Sequence, residues 1–364
     1  MRIRVGALGL LILGISYAPV TVAEAPAWKI GLLLCFSGDC AADGVSARQG
    51  ATIAAAEINA NGGVLGRMIE FDLQDTAEAV SGAKAVSAYR ALRMNRELKY
   101  ILGPSWTPAG LALAPIVSRD RDVIMMSPSL GAAEFHLAGD NIFNIRGTDE
   151  ISSRTEARYA YGLGARTAAI MSSQQPWEAQ QAAFFEDEFT KLGGKILVKE
   201  EPLPTVTDLR SETLRITQHK PDVVFLASIV LMDETAKELQ NLRYSGPKIA
   251  STIDEVRIAE SAGALNGAVF YSFQKPEGDF RSKYQTTYGR LPEGPAAMAY
   301  DAIYAFTKAV RASASFDPQT VKKQLLAVNF EGASGNIQFD AQGCAIRSPQ
   351  AWRVEGASYV ALDT

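Results

Sequence analysis

Thr107 and Pro108 stand together inside "PSWTPAGLALAPI", just after the apolar run "KYILG". A hydroxyl residue followed by proline is the pattern of a helix start, with Thr107 as the cap and Pro108 at the first helical position. The N–H groups of such a start attract an anion such as a carboxylate. The next apolar run, "DVIMM", leads into "SPSLG", where Ser127 and Ser129 offer hydroxyls and Gly131 allows close backbone approach. Capping and turn chemistry explains either loop alone; two polar loops after successive strands favour a binding site. Further along, Pro176 and Trp177 open a helix after "RTAAIM", so the indole could cover a ligand or simply pack. Asp254 and Glu255 follow the short run "PKIAS". One of them could hold a ligand ammonium, the plainer alternative being a solvated carboxylate at a helix start.

Catalytic patterns are missing. The chain has no GxSxG, no phosphate-binding Walker loop, no HExxH and no GxGxxG after a strand. Of its two histidines, His136 lies in the loop-like stretch "AEFHLAGD" and His219 ends a helix before Pro221. Neither suits a histidine-centred hydrolase. With so few histidines and no CxxC pair, zinc is not expected either; the reading is a protein without metal, cofactor or catalytic residues.

The first residues, "MRIRVGALGLLILGISYAPVTVAEA", have a charged start, a short apolar run and small residues, as in a secretory signal peptide cleaved after Ala23. Removing it leaves about 340 residues, with 34 basic against 40 acidic side chains and a net charge of −6. That balance disfavours nucleic acid and anionic membranes. The length favours two domains over one. No later stretch is long and apolar enough to cross a bilayer. In an oxidising compartment adjacent thiols pair, so Cys35 and Cys40 in "LLLCFSGDCAADG" read as a disulfide pinning a short loop. Two buried thiols are the alternative. Cys344 is left over as a packed residue.

Short apolar strands alternate with helical stretches. The strand "WKIGLLL" is followed by the helical "SARQGATIAAAEINANGG". The strand "RMIEFDLQD" is followed by a helix over "AEAVSGAKAVSAYRALRMN", with Asp75 or Thr76 as its cap. The alternation restarts after Gly147 and ends in strand-like "NIQFD", "AWRVE" and "SYVAL". This is the pattern of parallel sheets covered on both faces, in two similar halves.

Several segments together resemble the branched-chain amino-acid type of periplasmic solute-binding proteins of ABC transporters, which have the type I periplasmic binding protein fold. They are "IGLLLCFSGDCAADG" with "GATIAAAEINANGGVLGRMIEF", then "YILGPSWTPAGLALAPI", "VIMMSPS", "NIFNIRGTDE", "AMAYDAIYAFTKAV" and "FEGASGNIQFDAQG". The resemblance implies an α/β protein of two Rossmann-like lobes with parallel sheets joined by three crossovers, near Gly147, Gln274 and Arg347. The N-terminal lobe would be residues 27–147 plus 275–347, and the C-terminal lobe 148–274 plus 348–364. By the same resemblance, loops Ser105–Trp106–Thr107 and Ser127–Ser129–Gly131 hold the ligand carboxylate. Asp254 falls where an acid holds the ammonium, and Trp177 or its neighbour matches a covering aromatic. Asp43 stands where such proteins often have an aromatic ring, and Trp106 adds bulk beside Thr107. Both change the shape and charge of the pocket. The cysteine loop aligns with the first binding loop, where a bridge would order it before ligand arrives.

The expected function is a periplasmic receptor that closes around a small carboxylated solute, an amino acid above all, and hands it to a transporter permease. A ligand-sensing module for an amide, urea or aromatic acid uses the same fold. A secreted hydrolase is the third reading, and the missing nucleophile–base motifs count against it.

Overall fold

The computed structural model describes residues 25–362 except 39, 78–80 and 274–277. The expected signal peptide and the crossover expected near Gln274 fall outside the described residues.

The first half alternates β1 (Trp28–Leu34), α1 (Ala41–Ala60), β2 (Ile69–Asp75), α2 (Ala83–Leu92), β3 (Tyr100–Leu102), α3 (Thr107–Val117), β4 (Ile124–Ser127), α4 (Ala133–His136) and β5 (Ile142–Asn144). Its strands pair in the order β2-β1-β3-β4-β5, all parallel. Parallel neighbours need a crossover, and each helix supplies one. Successive residues of β1 serve opposite faces. Ile30, Leu32 and Leu34 join a core with α1, while Leu33 joins another with α2 and α3. Both faces are thus covered, and each fully buried leucine contributes about 1.5–3 kcal/mol.

The second half runs α5 (Glu150–Gly162), β6 (Thr167–Met171), α6 (Pro176–Lys191), β7 (Lys195–Glu200), α7 (Arg210–Gln218), β8 (Val223–Leu226), α8 (Met232–Asn241), β9 (Lys248–Ala250), α9 (Glu255–Glu260) and β10 (Val269–Ser272). The chain then adds α10 (Gly278–Tyr288), α11 (Gly294–Ser313), α12 (Pro318–Leu326) and the hairpin β11 (Asn329–Gly332)–β12 (Gly335–Gln338). It closes with β13 (Gln350–Glu355) and β14 (Ser358–Ala361). The second sheet has the order β14-β13-β10-β9-β8-β6-β7. β13 and β14 pair antiparallel, the rest parallel.

α10 and α11 return to the first lobe. Phe280, Tyr284 and Ala296 pack with Ile53 of α1. A Cβ on Gly50 would lie 1.9 Å from the Ala296 carbonyl oxygen, so the small residues of α1 let the two helices touch backbone to backbone. Among the described residues the chain thus passes between the lobes after β5 and between β12 and β13, and β10 and α10 lie in different lobes. Arg347 ties the last passage to the first, donating to Ile145 O at 2.8 Å and Ser334 O at 2.8 Å.

Several local expectations are corrected. α2 begins at Ala83 with Gly82 at its cap position; neither Asp75 nor Thr76 caps it, because Asp75 ends β2 and is bound elsewhere. Thr107 is the first residue of α3, and Trp106, in extended backbone, takes the cap position without a side-chain cap bond. His136 is not in a loop but is buried in α4. The cysteines, by contrast, are as expected: Cys35 and Cys40 are bridged and Cys344 is free and buried; burial pushes its thiol up to about 12.

Candidate functional site

Open parallel sheets bind ligands beyond their strand ends, where the strand order reverses. In the first sheet that point lies between β1 and β3. The loop after β1 is the bridged one, and Asp75 braces it from β2. Its carboxylate accepts from Phe36 N at 2.8 Å, Ser37 Oγ at 2.6 Å, Ala77 N at 3.1 Å and Lys84 Nζ at 2.9 Å. Burial alone would raise the Asp75 pKa; these bonds outweigh it and hold the carboxyl well below the usual range. Cys40 then leads into α1, where Gly44 is required: a Cβ there would stand 1.6 Å from Cys35 O.

Across the reversal point the loop after β3 meets this one. Cys35 N donates to Ser105 Oγ at 3.2 Å, and the Trp106 indole donates to Asp43 Oδ2 at 2.6 Å. The start of α3 beside them has no side-chain cap, so the N–H groups of its first turn lack a side-chain acceptor. The loop after β4 is tied in turn to the loop after β3. Ser127 Oγ donates to Pro104 O at 2.7 Å and accepts from Leu130 N at 3.0 Å, and Ser129 Oγ donates to Ser105 O at 2.9 Å. Both hydroxyl protons are thus spent on holding loops together.

Gly131 touches the other lobe. A Cβ there would be 1.8 Å from Asp149 Oδ2 and 2.7 Å from Trp177 Nε1. Asp149, buried just after the first passage, accepts from Arg146 Nη1 at 2.6 Å and from the Trp177 indole at 2.8 Å. Trp177 is 7% exposed. It forms a buried link between the lobes. Gln180 of α6 donates to Glu134 of α4 at 2.7 Å on the same flank.

The second sheet reverses its order between β6 and β8, and one buried acid joins the two loops there. Glu178 accepts from Ser173 Oγ, from Ile229 N at 2.8 Å and from Val230 N at 3.3 Å. Burial nevertheless keeps its pKa raised. Asp254 stands exposed at the cap position of α9 and accepts from Arg257 N at 2.7 Å.

Asp254 is close enough to Asp43 for its charge to matter. Burial pushes the Asp43 carboxyl up and Asp254 adds to the push, against the Trp106 bond and Arg146. Glu293, before α11, is raised by burial and then by Asp43, with Asp254 and Glu255 adding and Arg290 opposing. Carboxylates of both lobes therefore share one space. The loops that carry Ser105, Trp106, Thr107, Ser127, Ser129 and Gly131 are tied to one another and to Asp43, and Asp254 lies within Coulombic reach of Asp43. Sequence reasoning missed Arg146, Asp149, Glu178 and Glu293. The signal for Glu178 was its place at the third position of a helix opened by Gln175 and Pro176, but its loop partners lie more than 50 residues on.

The periplasmic binding protein family model matches residues 27–353. A leucine-, isoleucine-, valine-, threonine- and alanine-binding protein of Pseudomonas aeruginosa is 24% identical over 330 residues, 86% of each chain. Among solved structures, a leucine binding protein of Thermotoga maritima superposes with a TM-score of 0.84 at 24% identity, covering 92% of this chain and 97% of that one. A solute binding protein of an ABC transporter from Rhodopseudomonas palustris, in complex with 3,4-dihydroxybenzoic acid, gives 0.83 at 21% identity, covering 92% and 96%. With a match over nearly the whole described chain and a two-lobed fold to go with it, this protein belongs to the periplasmic binding protein family.

Proposed function

We propose that this protein is the periplasmic receptor of an ABC importer and captures a small carboxylated solute, an α-amino acid above all, between its lobes. The observation that carries the reading is the pairing across the cleft. An uncapped helix start at Thr107 lies beside Asp43 in one lobe, and Asp254 faces Asp43 from the other. The helix start suits a carboxylate and the acids suit an ammonium. A ligand using both would join the lobes, and delivery to a permease follows from the closed form. The lobes are residues 27–147 plus 275–347 and 148–274 plus 348–364, and export follows cleavage after Ala23. Asp43 and Trp106 favour a polar side chain over a purely aliphatic one. The dihydroxybenzoate complex of the Rhodopseudomonas palustris protein keeps aromatic acids as the second ligand class.

A thermal-shift screen of amino acids, amides and aromatic acids identifies the ligand, since saturation at 100 times Kd adds about 2.7 kcal/mol. Calorimetry then compares variants. Thr107→Ala weakens every carboxylated ligand by about 1–3 kcal/mol. Asp254→Asn strongly weakens an α-amino acid and leaves a ligand without an amine unchanged. An Asp254→Asn protein that binds its amino acid as the parent does removes the ammonium assignment. No response from either variant moves the site to other loops.

A further inference from the structure

We infer that Trp106 is a positioning residue of the interlobe site: its indole N–H holds one oxygen of Asp43 and leaves the other open, so that the cationic group of a ligand completes an ion pair the protein leaves half built. This role rests on the ligand site proposed between the lobes, and it assigns Asp43 as the carboxylate of the first lobe that the ligand's ammonium meets. Among the described residues two carboxylates accept from an indole N–H. Trp177 donates to Asp149 at 2.8 Å and Trp106 to Asp43 at 2.6 Å. The two differ in what else they hold. Asp149 Oδ2 also accepts from Arg146 Nη1 at 2.6 Å, so an indole and a guanidinium satisfy it together. Asp43 has the indole alone: among the described residues it makes no ion pair, and its Oδ1 accepts no hydrogen bond. Arg146, Asp254 and Glu293 are the charged groups within its Coulombic reach, and the one cation of the three is engaged with Asp149.

A carboxylate drawn partly out of water without a counter-charge is costly, yet the chain around Asp43 holds it there. Asp43 lies in the first turn of α1, which the Cys35–Cys40 bridge and the close approach of Gly44 to Cys35 O fix against the end of β1. Trp106 lies at the cap position of α3, in a loop held by Cys35 N on Ser105 Oγ and by Ser129 Oγ on Ser105 O. Both ends of the indole–carboxylate bond are thus set by backbone that other contacts hold, at the reversal point of the first sheet. An indole has one donor and no charge. It orients the carboxylate through a single oxygen and leaves the negative charge for an incoming cation. It also favours the ionised form, since its bond opposes the upward push of burial and of Asp254. A ligand ammonium on Oδ1 then does for Asp43 what Arg146 does for Asp149.

The test uses the isotope-labelled mature chain, with L-threonine as probe and 3-hydroxybutanoate, the same skeleton without the amine, as control. In the ligand-free parent the Trp106 indole N–H and the Asp43 carboxyl carbon should titrate with one midpoint, and in Trp106→Phe the Asp43 midpoint should move up. Binding is read at the amides of Thr107 and Gly131. The parent should prefer threonine to 3-hydroxybutanoate, and Trp106→Phe should cut that preference about tenfold, the worth of one charge-assisted hydrogen bond. In an Asp43→Asn background Trp106→Phe should change the preference by less than about twofold, because the carboxylate through which it acts is gone. Cleft amides that respond to neither probe, or equally to both, overturn the amino-acid reading and the role of Trp106 with it. A preference for threonine that is unchanged in Trp106→Phe, or a Trp106→Phe effect that persists in Asp43→Asn, overturns the role of Trp106 alone. An indole N–H that ignores the Asp43 titration in the parent removes the bond itself, whether or not the variant folds.

Discussion

Replacing Cys35 and Cys40 together by serine should lower the stability of the mature chain by about 2 kcal/mol. The bridge closes a ring at a sequence separation of 5. Chain-entropy loss for so short a loop amounts to about 2 kcal/mol at 25 °C. The native state loses little besides, because Asp75 still holds Phe36 N and Ser37 Oγ, and Cys35 N still reaches Ser105 Oγ. Urea denaturation of parent and double variant measures the difference as a change in midpoint at constant slope. Thiol counting on the denatured, unreduced parent should find one free thiol, Cys344. The bridge has a second effect. It orders the segment from β1 to α1 that carries Asp43 to the Trp106 indole, so the variant should also bind ligand more weakly than its lost stability explains. Three free thiols in the exported protein refute the bridge. Unchanged stability together with unchanged affinity refutes the bracing argument.

Gly131→Ala should cost about 1–3 kcal/mol by urea denaturation and weaken ligand binding at least tenfold by calorimetry, because its Cβ would stand 1.8 Å from Asp149 Oδ2; parent-like binding refutes the close contact between lobes. Glu178→Ala should cost about 2–4 kcal/mol, since buried donors lose their acceptor, and should speed hydrogen exchange at Ile229 and Val230 selectively. Burial, opposed by bonds from Ser334 and Ala333 N and by Arg347, pushes the Asp301 carboxyl up to about 6. Because the folded form holds this proton more tightly than the unfolded chain, the associated stability is full below about pH 4 and is lost as pH rises through about 6, roughly 3 kcal/mol in all. A carboxyl titration of Asp301 at the ordinary aspartate value would sink that expectation.

The alternation of strands and helices was legible because parallel strands buried on both faces read as apolar runs, and "WKIGLLL" and "PDVVFLAS" do so plainly. Elements whose packing is tertiary were not. β5 and α9 are too short for periodicity to show. Asp75 imitates a helix cap, yet its carboxylate is claimed by a loop 39 residues earlier. The Thr107–Pro108 signal marked the right helix one residue late, since Trp106, without a capping side chain, holds the extended backbone at its start. The sequence marks Gly131 as a place of close backbone approach. What approaches it is Asp149 and Trp177, from the first passage and the other lobe, and no local rule links those three positions.

The two flanks of the cleft have different electrostatics. On one, Arg146 neutralises Asp149, the Trp177 indole adds a donor to the same carboxylate, and Gln180 reaches Glu134. The polar groups of that flank are matched. On the other, Asp43 and Glu293 of the first lobe face Asp254 and Glu255 of the second. The cations felt there are already engaged: Arg146 with Asp149, and Arg290 with Glu293 and Gln49. Like charges drawn together in a partly dehydrated space repel one another. Burial first, and that repulsion second, push the Asp43 and Glu293 carboxyls up. A cationic group placed between Asp43 and Asp254 would remove the repulsion and replace it with attraction from both lobes. On the proposed function, the acidic flank would act as a condition on closure. On the proposed reading, a ligand with a carboxylate alone would occupy the Thr107 helix start without engaging Asp43 and Asp254, whereas one that also carries an ammonium would be held from both lobes.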